Sequence, residues 1–192
     1  MVLARRDFVS PLDVLGTTAA FFGGEIDLDP ASSTHANQVV QANRYFTWEN
    51  NGLLQDWSGK NIYLYPPNDV AHKSDQPKST VLFEKPKYFR KSNQRVWLEL
   101  AYRKWMRKEF DEGIVFITSS EVALITTQKL GIDLPMCILK EHPRLLEDNP
   151  DLTPLKNRKS YGFIFYLPSV TQCQERTHDF HRLYSDLGRV YI

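Results

Sequence analysis

The sequence predicts a three-layer α/β domain, a mostly parallel sheet with helices on both faces. Three observations point there. Ile114-Val115-Phe116-Ile117-Thr118 is an unbroken β-branched and aromatic run, the pattern of a strand buried on both faces of a parallel sheet. Short apolar strand segments alternate along the chain with segments of helical periodicity. The 192 residues, 42% apolar and rich in Phe, Tyr and Trp, suffice for one packed core spanning 1–192 and are few for two.

The elements follow in order. Ser10 is placed to cap a helix with Pro11 in its first turn, and Gly23-Gly24 stops it after Phe21-Phe22. Glu25 to Asp29 alternates polar and apolar as a short strand that Pro30 ends. A second helix is expected over 34–43 with Thr34 as a weak cap. A short strand over 44–47 comes next, closed by the turn signal Asn50-Asn51-Gly52. Asn61 to Tyr65 is a clearer strand, halted by Pro66-Pro67.

Residues 68–91 are polar, basic and broken by Pro77 and Pro86, which predicts an exposed loop or lid with at most a small strand at Val81-Leu82-Phe83. Val96, Trp97, Leu100, Ala101 and Trp105 recur at helical spacing from Asn93 to Phe110, with Gly113 as the stop, and make both tryptophans core residues rather than a stacking platform. After the 114–118 strand, Ser119 or Ser120 caps a helix through Leu130 that Gly131 ends. Strands are expected at Met136–Leu139 and Tyr161–Tyr166, a helix near 171–187 ending at Gly188, and a terminal strand over 189–192.

Charge is uneven although the net is +1. Residues 70–108 hold eleven Lys and Arg against three acids, and the remainder of the chain is acidic. Two readings stand: a surface that faces a polyanion, or the solvated face of a helix and its leading loop. Cys137 and Cys173 are too few and too far apart for a disulfide framework or a zinc spacing, so both are expected as free thiols in a reducing compartment. His178 and His181 lie three apart on a helix, and His35, His72 and His142 are scattered, so no metal site is expected. No apolar run approaches the roughly 20 residues that span a bilayer, and the N-terminus lacks a signal peptide's apolar core. A cytoplasmic protein without membrane contact is the expectation.

Parallel sheets bind ligands beyond the carboxyl ends of their strands, where Asp29-Pro30 and Tyr65-Pro66-Pro67-Asn68 fall. A strand-end carboxylate such as Asp29 accepts hydrogen bonds from an ammonium or a ribose. Asp56 is a second acceptor or a turn residue, and parity leaves open which face Asp27 takes, since it shares that of Asp29. No Gly-x-Gly-x-x-Gly and no Gly-Lys-Ser/Thr loop is present, which argues against dinucleotide oxidoreductases and NTPases.

Four motifs in order carry a resemblance: Ser10-Pro11-Leu12-Asp13; Leu28-Asp29-Pro30-Ala31-Ser32-Ser33; Asn51-Gly52-Leu53 with Asp56-Trp57-Ser58-Gly59; and Tyr65-Pro66-Pro67-Asn68. With weaker echoes at Arg144-Leu145 and Tyr161–Leu167, the chain resembles the phage-type DNA N6-adenine methyltransferases. The resemblance implies a Rossmann-like methyltransferase fold and S-adenosylmethionine as cofactor. It places Ser10 and Pro11 near the methionine end, with Asp29, Pro30, Ala31 and Asp56 around the cofactor. It implies DNA as partner, held by Lys85, Lys87, Arg90, Lys91 and Arg95, with the 68–91 loop closing over a flipped base.

In that family the tetrapeptide reads Asn-Pro-Pro-Tyr. The Asn oxygen and the first Pro carbonyl accept from the exocyclic amine, the aromatic stacks on the base, and catalysis is in-line alignment. Here Tyr65, Pro66, Pro67 and Asn68 are the implied catalytic residues, with both outer positions changed. Either Asn68 and Tyr65 exchange roles, or the four residues are a strand-ending turn in a chain that has lost transfer. Beside a DNA adenine methyltransferase of phage or mobile-element origin stand two alternatives: an inactive relative that binds nucleic acid or a protein, and a methyltransferase with a non-DNA acceptor.

Overall fold

A computed structural model describes residues 8–68, 93–131, 133–156, 160–169 and 171–192. A seven-stranded mixed sheet forms its centre. In chain order the strands are β2 (Leu28–Asp29), β3 (Arg44–Tyr45), β4 (Gly59–Leu64), β5 (Phe110–Ile117), β6 (Met136–Leu139), β8 (Phe163–Leu167) and β9 (Gly188–Tyr191). Spatially they run β3-β2-β4-β5-β8-β6-β9. The first three ladders in that order are parallel and the last three antiparallel. Five strands therefore point one way, with β8 and β9 reversed. Two further strands absent from the sequence prediction, β1 (Phe8–Val9) and β7 (Leu146–Glu147), pair antiparallel as a separate ribbon. Both are too short to show a period.

Strand parity sorts the core into two faces. Ile62, Leu64, Val115, Ile117, Phe163 and Phe165 pack beneath α3 (Asn93–Met106) and α4 (Ser120–Leu130). Tyr63, Tyr65, Ile114, Phe116, Ile164 and Tyr166 pack on the other side against α1 (Leu12–Phe21), α2 (Asn37–Val40) and α5 (Cys173–Tyr184). Helices cover both faces, as the buried 114–118 run predicts. Among the described residues no helix is long and apolar enough to cross a membrane.

Several boundaries differ from expectation, each for a local reason. Ser10 does not cap α1, because its hydroxyl is engaged by the Tyr63 hydroxyl; Pro11 takes the cap position. The second helix shrinks to four residues, Asn37–Val40, and Gln41 ends it in a left-handed conformation. The third helix stops at Met106, where Lys108 turns the chain at φ 59° and donates its N–H to the Trp105 carbonyl. Gly113 is thus no helix stop but lies inside β5, where a Cβ would come within 2.8 Å of the Ile62 side chain. Ser119 does cap α4, accepting from the Val122 N–H at 3.2 Å, and Gly131 ends it at φ 56°.

One buried ion pair ties α5 to the sheet. Glu112 of β5 accepts from the Arg176 guanidinium at 2.8 and 3.1 Å and from the Tyr166 hydroxyl at 3.0 Å. Arg176 also reaches the Phe21 carbonyl at 2.8 Å and lies over the Phe21 ring. Every charge in this group is met, which is the condition for burying it.

Candidate functional site

The parallel half of the sheet ends in a cavity of about 330 Å³, within the size range of small-molecule sites. Its floor is the turn after β2, from Pro30 through Ala36. One side is the segment after β3, Phe46 to Glu49, and another the Asn51-Gly52-Leu53 turn. Tyr65 and Pro67 reach it from the end of β4, Trp97 from α3, and Phe8 and Asp148 from the β1–β7 ribbon.

The motif residues build these walls by direct contact. Gly52 lies so close to the Asp29-Pro30 turn that an added Cβ would sit 1.9 Å from the Pro30 carbonyl oxygen. The Gly52 carbonyl accepts from the buried Trp57 indole at 2.8 Å, and Trp57 stacks on Trp97 with centroids 5.8 Å apart. The glycine and the tryptophan of the motif thus hold one turn against another. Ser10 serves a parallel purpose by fixing Tyr63. Neither Ser10 nor Pro11 lines the cavity, although Phe8 does.

Asp29 is 3% exposed. Burial pushes its carboxyl up to about 7, against the opposing effect of the Ala31 N–H, which donates to it at 3.1 Å. The Ser32 hydroxyl lies near enough to favour the anion slightly but completes no well-formed hydrogen bond among the described residues. Asp27 sits differently: its carboxylate accepts from the Lys60 N–H at 2.9 Å, so it ties β2 to the start of β4 and is structural.

Asp56 is not part of the cavity. It lies before β4, at the opposite end of that strand from Tyr65, and accepts from the Ser58 N–H at 3.0 Å and from the Ser58 hydroxyl. Those bonds hold its carboxyl below the usual range. The turn role prevails over the cofactor role.

The tetrapeptide is locked into a network. Tyr65 is buried, with its ring 5.0 Å from that of Phe116. Its hydroxyl accepts from the Asn68 amide at 2.9 Å. The Asn68 oxygen accepts from Gln94 at 2.7 Å and Thr118 at 2.9 Å. A carbonyl oxygen has two lone pairs, and both are taken. In this arrangement Asn68 does not offer an oxygen to a substrate amine, and the simple exchange of roles between Tyr65 and Asn68 does not occur.

No family model, curated protein or solved structure matches the chain.

Of the DNA-facing residues implied by the resemblance, Lys85, Lys87, Arg90 and Lys91 lie outside the described residues, as does the 69–91 part of the expected 68–91 lid. Arg95 is on α3 and donates to Glu99 at 2.7 Å, an i,i+4 ion pair on a half-buried side chain. Cys137 is buried, its thiol pushed up to about 12 by burial, and Cys173 is exposed. Among the described residues no cluster of three metal-ligating side chains exists.

Sequence reasoning missed much of the wall. Phe46, Trp48, Glu49, His35 and Asp148 line the cavity, and Trp48 is 57% exposed at that site. Asp148 accepts from the Ser33 hydroxyl at 2.6 Å and sits 3.4 Å from the His35 ring, pinning the β1–β7 ribbon to the floor. With the carboxylate between serine and histidine, these three do not form a nucleophilic triad. One signal was available: Glu49 falls just past the carboxyl end of the strand expected over 44–47, the end of such sheets where ligands bind. Asp148 had none, because 115 residues separate it from Ser33. A larger groove of about 510 Å³ beside β6 carries Lys140 and Arg144 together with Asp13 and Glu141, a lining of mixed charge.

Proposed function

We propose that the chain is an S-adenosylmethionine-dependent methyltransferase acting on the exocyclic amine of adenine in DNA. The observation that carries this is the chemistry of the cavity beyond β2, β3 and β4. Aromatic rings (Phe8, Phe46, Trp48, Tyr65, Trp97) and two carboxylates (Glu49, Asp148) line it, and among the described residues no Lys or Arg does. Such a wall suits a cationic ligand with a flat ring, through cation–π and stacking contacts, and repels phosphates.

The residues present fit that cofactor. Asp29 does not line the cavity but directly precedes the floor residue Pro30, and its buried carboxyl is one that an approaching ammonium would return to its anion. Ser32 has a buried hydroxyl still lacking a well-formed bond among the described residues, the kind of group a ligand completes. Glu49 is an exposed carboxylate in the wall, accepting from the Thr47 hydroxyl at 2.6 Å, and is the group there that would accept from ribose hydroxyls. The cofactor supplies an electrophilic methyl group; these side chains bind and orient it.

A second reading is favoured by one observation. The Asn68 oxygen is saturated by Gln94 and Thr118, which fits a relative that keeps the cofactor cavity without transferring methyl groups to DNA. Calorimetric titration with S-adenosylmethionine and its demethylated product separates the outcomes. Binding lost in Asp29→Ala, followed by methylation of adenine-containing DNA, supports the enzyme. Binding without DNA methylation, in both the parent and the Tyr65→Asn/Asn68→Tyr double variant, excludes DNA as acceptor. Absence of binding by folded protein removes the methyltransferase reading altogether.

A further inference from the structure

The amide orientations around the tetrapeptide follow from two groups that can only donate. The N–H groups of Thr118 and Ser119, at the end of β5, both reach Gln94 Oε1, at 3.1 and 3.0 Å. The Gln94 oxygen must therefore face β5, which turns its NH₂ toward Asn68 and Thr118. That nitrogen donates to Asn68 Oδ1 at 2.7 Å and to Thr118 Oγ1 at 2.8 Å. Thr118, having accepted one proton, gives its own to Asn68 Oδ1 at 2.9 Å. The Asn68 oxygen is thereby turned inward, and its NH₂ points to the Tyr65 oxygen at 2.9 Å. Gln94 is 2% exposed, so water does not stand in for the partners of its amide.

We infer that Gln94 is a positioning residue that sets the donor and acceptor polarity of the Tyr65–Asn68 turn, keeping the Asn68 oxygen away from the cavity and making Tyr65 accept from Asn68. This rests on the reading that the turn faces the methyl acceptor. Polarity there decides which substrate atoms are tolerated, because an amine needs acceptors and a carbonyl or ring nitrogen needs donors. Backbone N–H groups fixed in the sheet dictate that polarity through two buried amides. A change at position 94 therefore inverts it without touching the cavity wall.

Gln94→Glu provides the inversion. At alkaline pH, where even a buried carboxyl is ionised, the carboxylate still accepts from Thr118 and Ser119 but cannot donate, so Asn68 rotates to give it NH₂ and turns its oxygen to Tyr65, whose hydroxyl then donates to it. The test uses the full chain labelled with ¹³Cζ-tyrosine and ¹⁵N-asparagine, with Tyr65→Phe identifying the Tyr65 resonance. In Gln94→Glu the Tyr65 Cζ resonance moves downfield, toward that of a donating phenol, and the Asn68 side-chain resonances shift with it. Thr118→Val removes a hydroxyl but leaves both backbone donors, so Tyr65 keeps the parent resonance. Unmoved resonances in folded Gln94→Glu overturn the inference, as does an equal shift in Gln94→Ala. If Gln94→Glu does not fold, a Tyr65 resonance displaced downfield by Thr118→Val overturns it alone. Cofactor titration of the parent is independent: failure there removes the methyltransferase reading and leaves the polarity result standing.

Discussion

Replacing Asp29 by Asn should stabilise the ligand-free protein, by an amount that grows with pH. The Asp29 carboxyl goes from an ordinary 3.8 to about 7 on burial. Between those values the native state holds a proton that the unfolded chain has released. Its stability therefore falls as pH rises and levels off above about 7. At about 1.4 kcal/mol for each tenfold change in proton activity, the penalty is about 2 kcal/mol at pH 5 and about 4 kcal/mol at pH 8. Asn keeps an oxygen for the Ala31 N–H and has no proton to lose. Asp29→Asn should thus gain about 2–3 kcal/mol on the parent between pH 5 and pH 8, or roughly 5–10 °C in melting temperature for a domain of this size. Urea unfolding of both proteins at the two pH values measures it. Parallel pH profiles would refute the idea that Asp29 is a carboxyl held protonated by burial. A cationic ligand paired with Asp29 should in turn bind the parent about tenfold more tightly at pH 8 than at pH 6, since the ionised fraction rises by that factor.

Gly52→Ala drives a Cβ to 1.9 Å from the Pro30 oxygen; it should cost about 1–3 kcal/mol in urea unfolding and weaken binding of the proposed cofactor by displacing the cavity floor. Arg176→Met leaves Glu112 charged and buried, and a loss of about 3–5 kcal/mol is expected. Adding Glu112→Gln should recover most of it, and a double variant no better than the single one would contradict the account of this pair. In native protein a thiol reagent should modify Cys173 alone, with Cys137 reacting only after unfolding. Asp148→Ala should release the β1–β7 ribbon from Ser33 and raise amide exchange at residues 8–9 and 146–147 while leaving that of β4 and β5 unchanged.

Local chemistry was legible in the amino-acid order wherever an element is long or a stop is sharp. The 114–118 run declared a strand buried on both faces, the Ser119 cap and Gly131 stop delimit α4, and the prolines after Asp29 and Tyr65 place both turns at strand ends. Those features suffice for an α/β chain with helices on both sides of a sheet. They do not reach β1 and β7, whose two-residue strands exist only because each supplies the other's hydrogen bonds. Nor do they say that Gly113 sits within β5, where the crowding of Ile62, Phe110 and Leu167 around that position exists only in the fold.

The candidate site divides the same way. Gly52 and Trp57 stand out as motif residues, but their purpose, one turn pressed against Pro30 and held by an indole, is a matter of contact. Asp56 and Asp29 look alike as strand-flanking acids. Solvent around the first and its absence around the second separate them, because desolvation is set by everything packed nearby. Asp148 joins Ser33 across 115 residues, and Gln94 reaches Asn68 from another element. No pattern along a chain encodes such pairings, since hydrogen bonds are short and the fold alone chooses which distant groups come within their range.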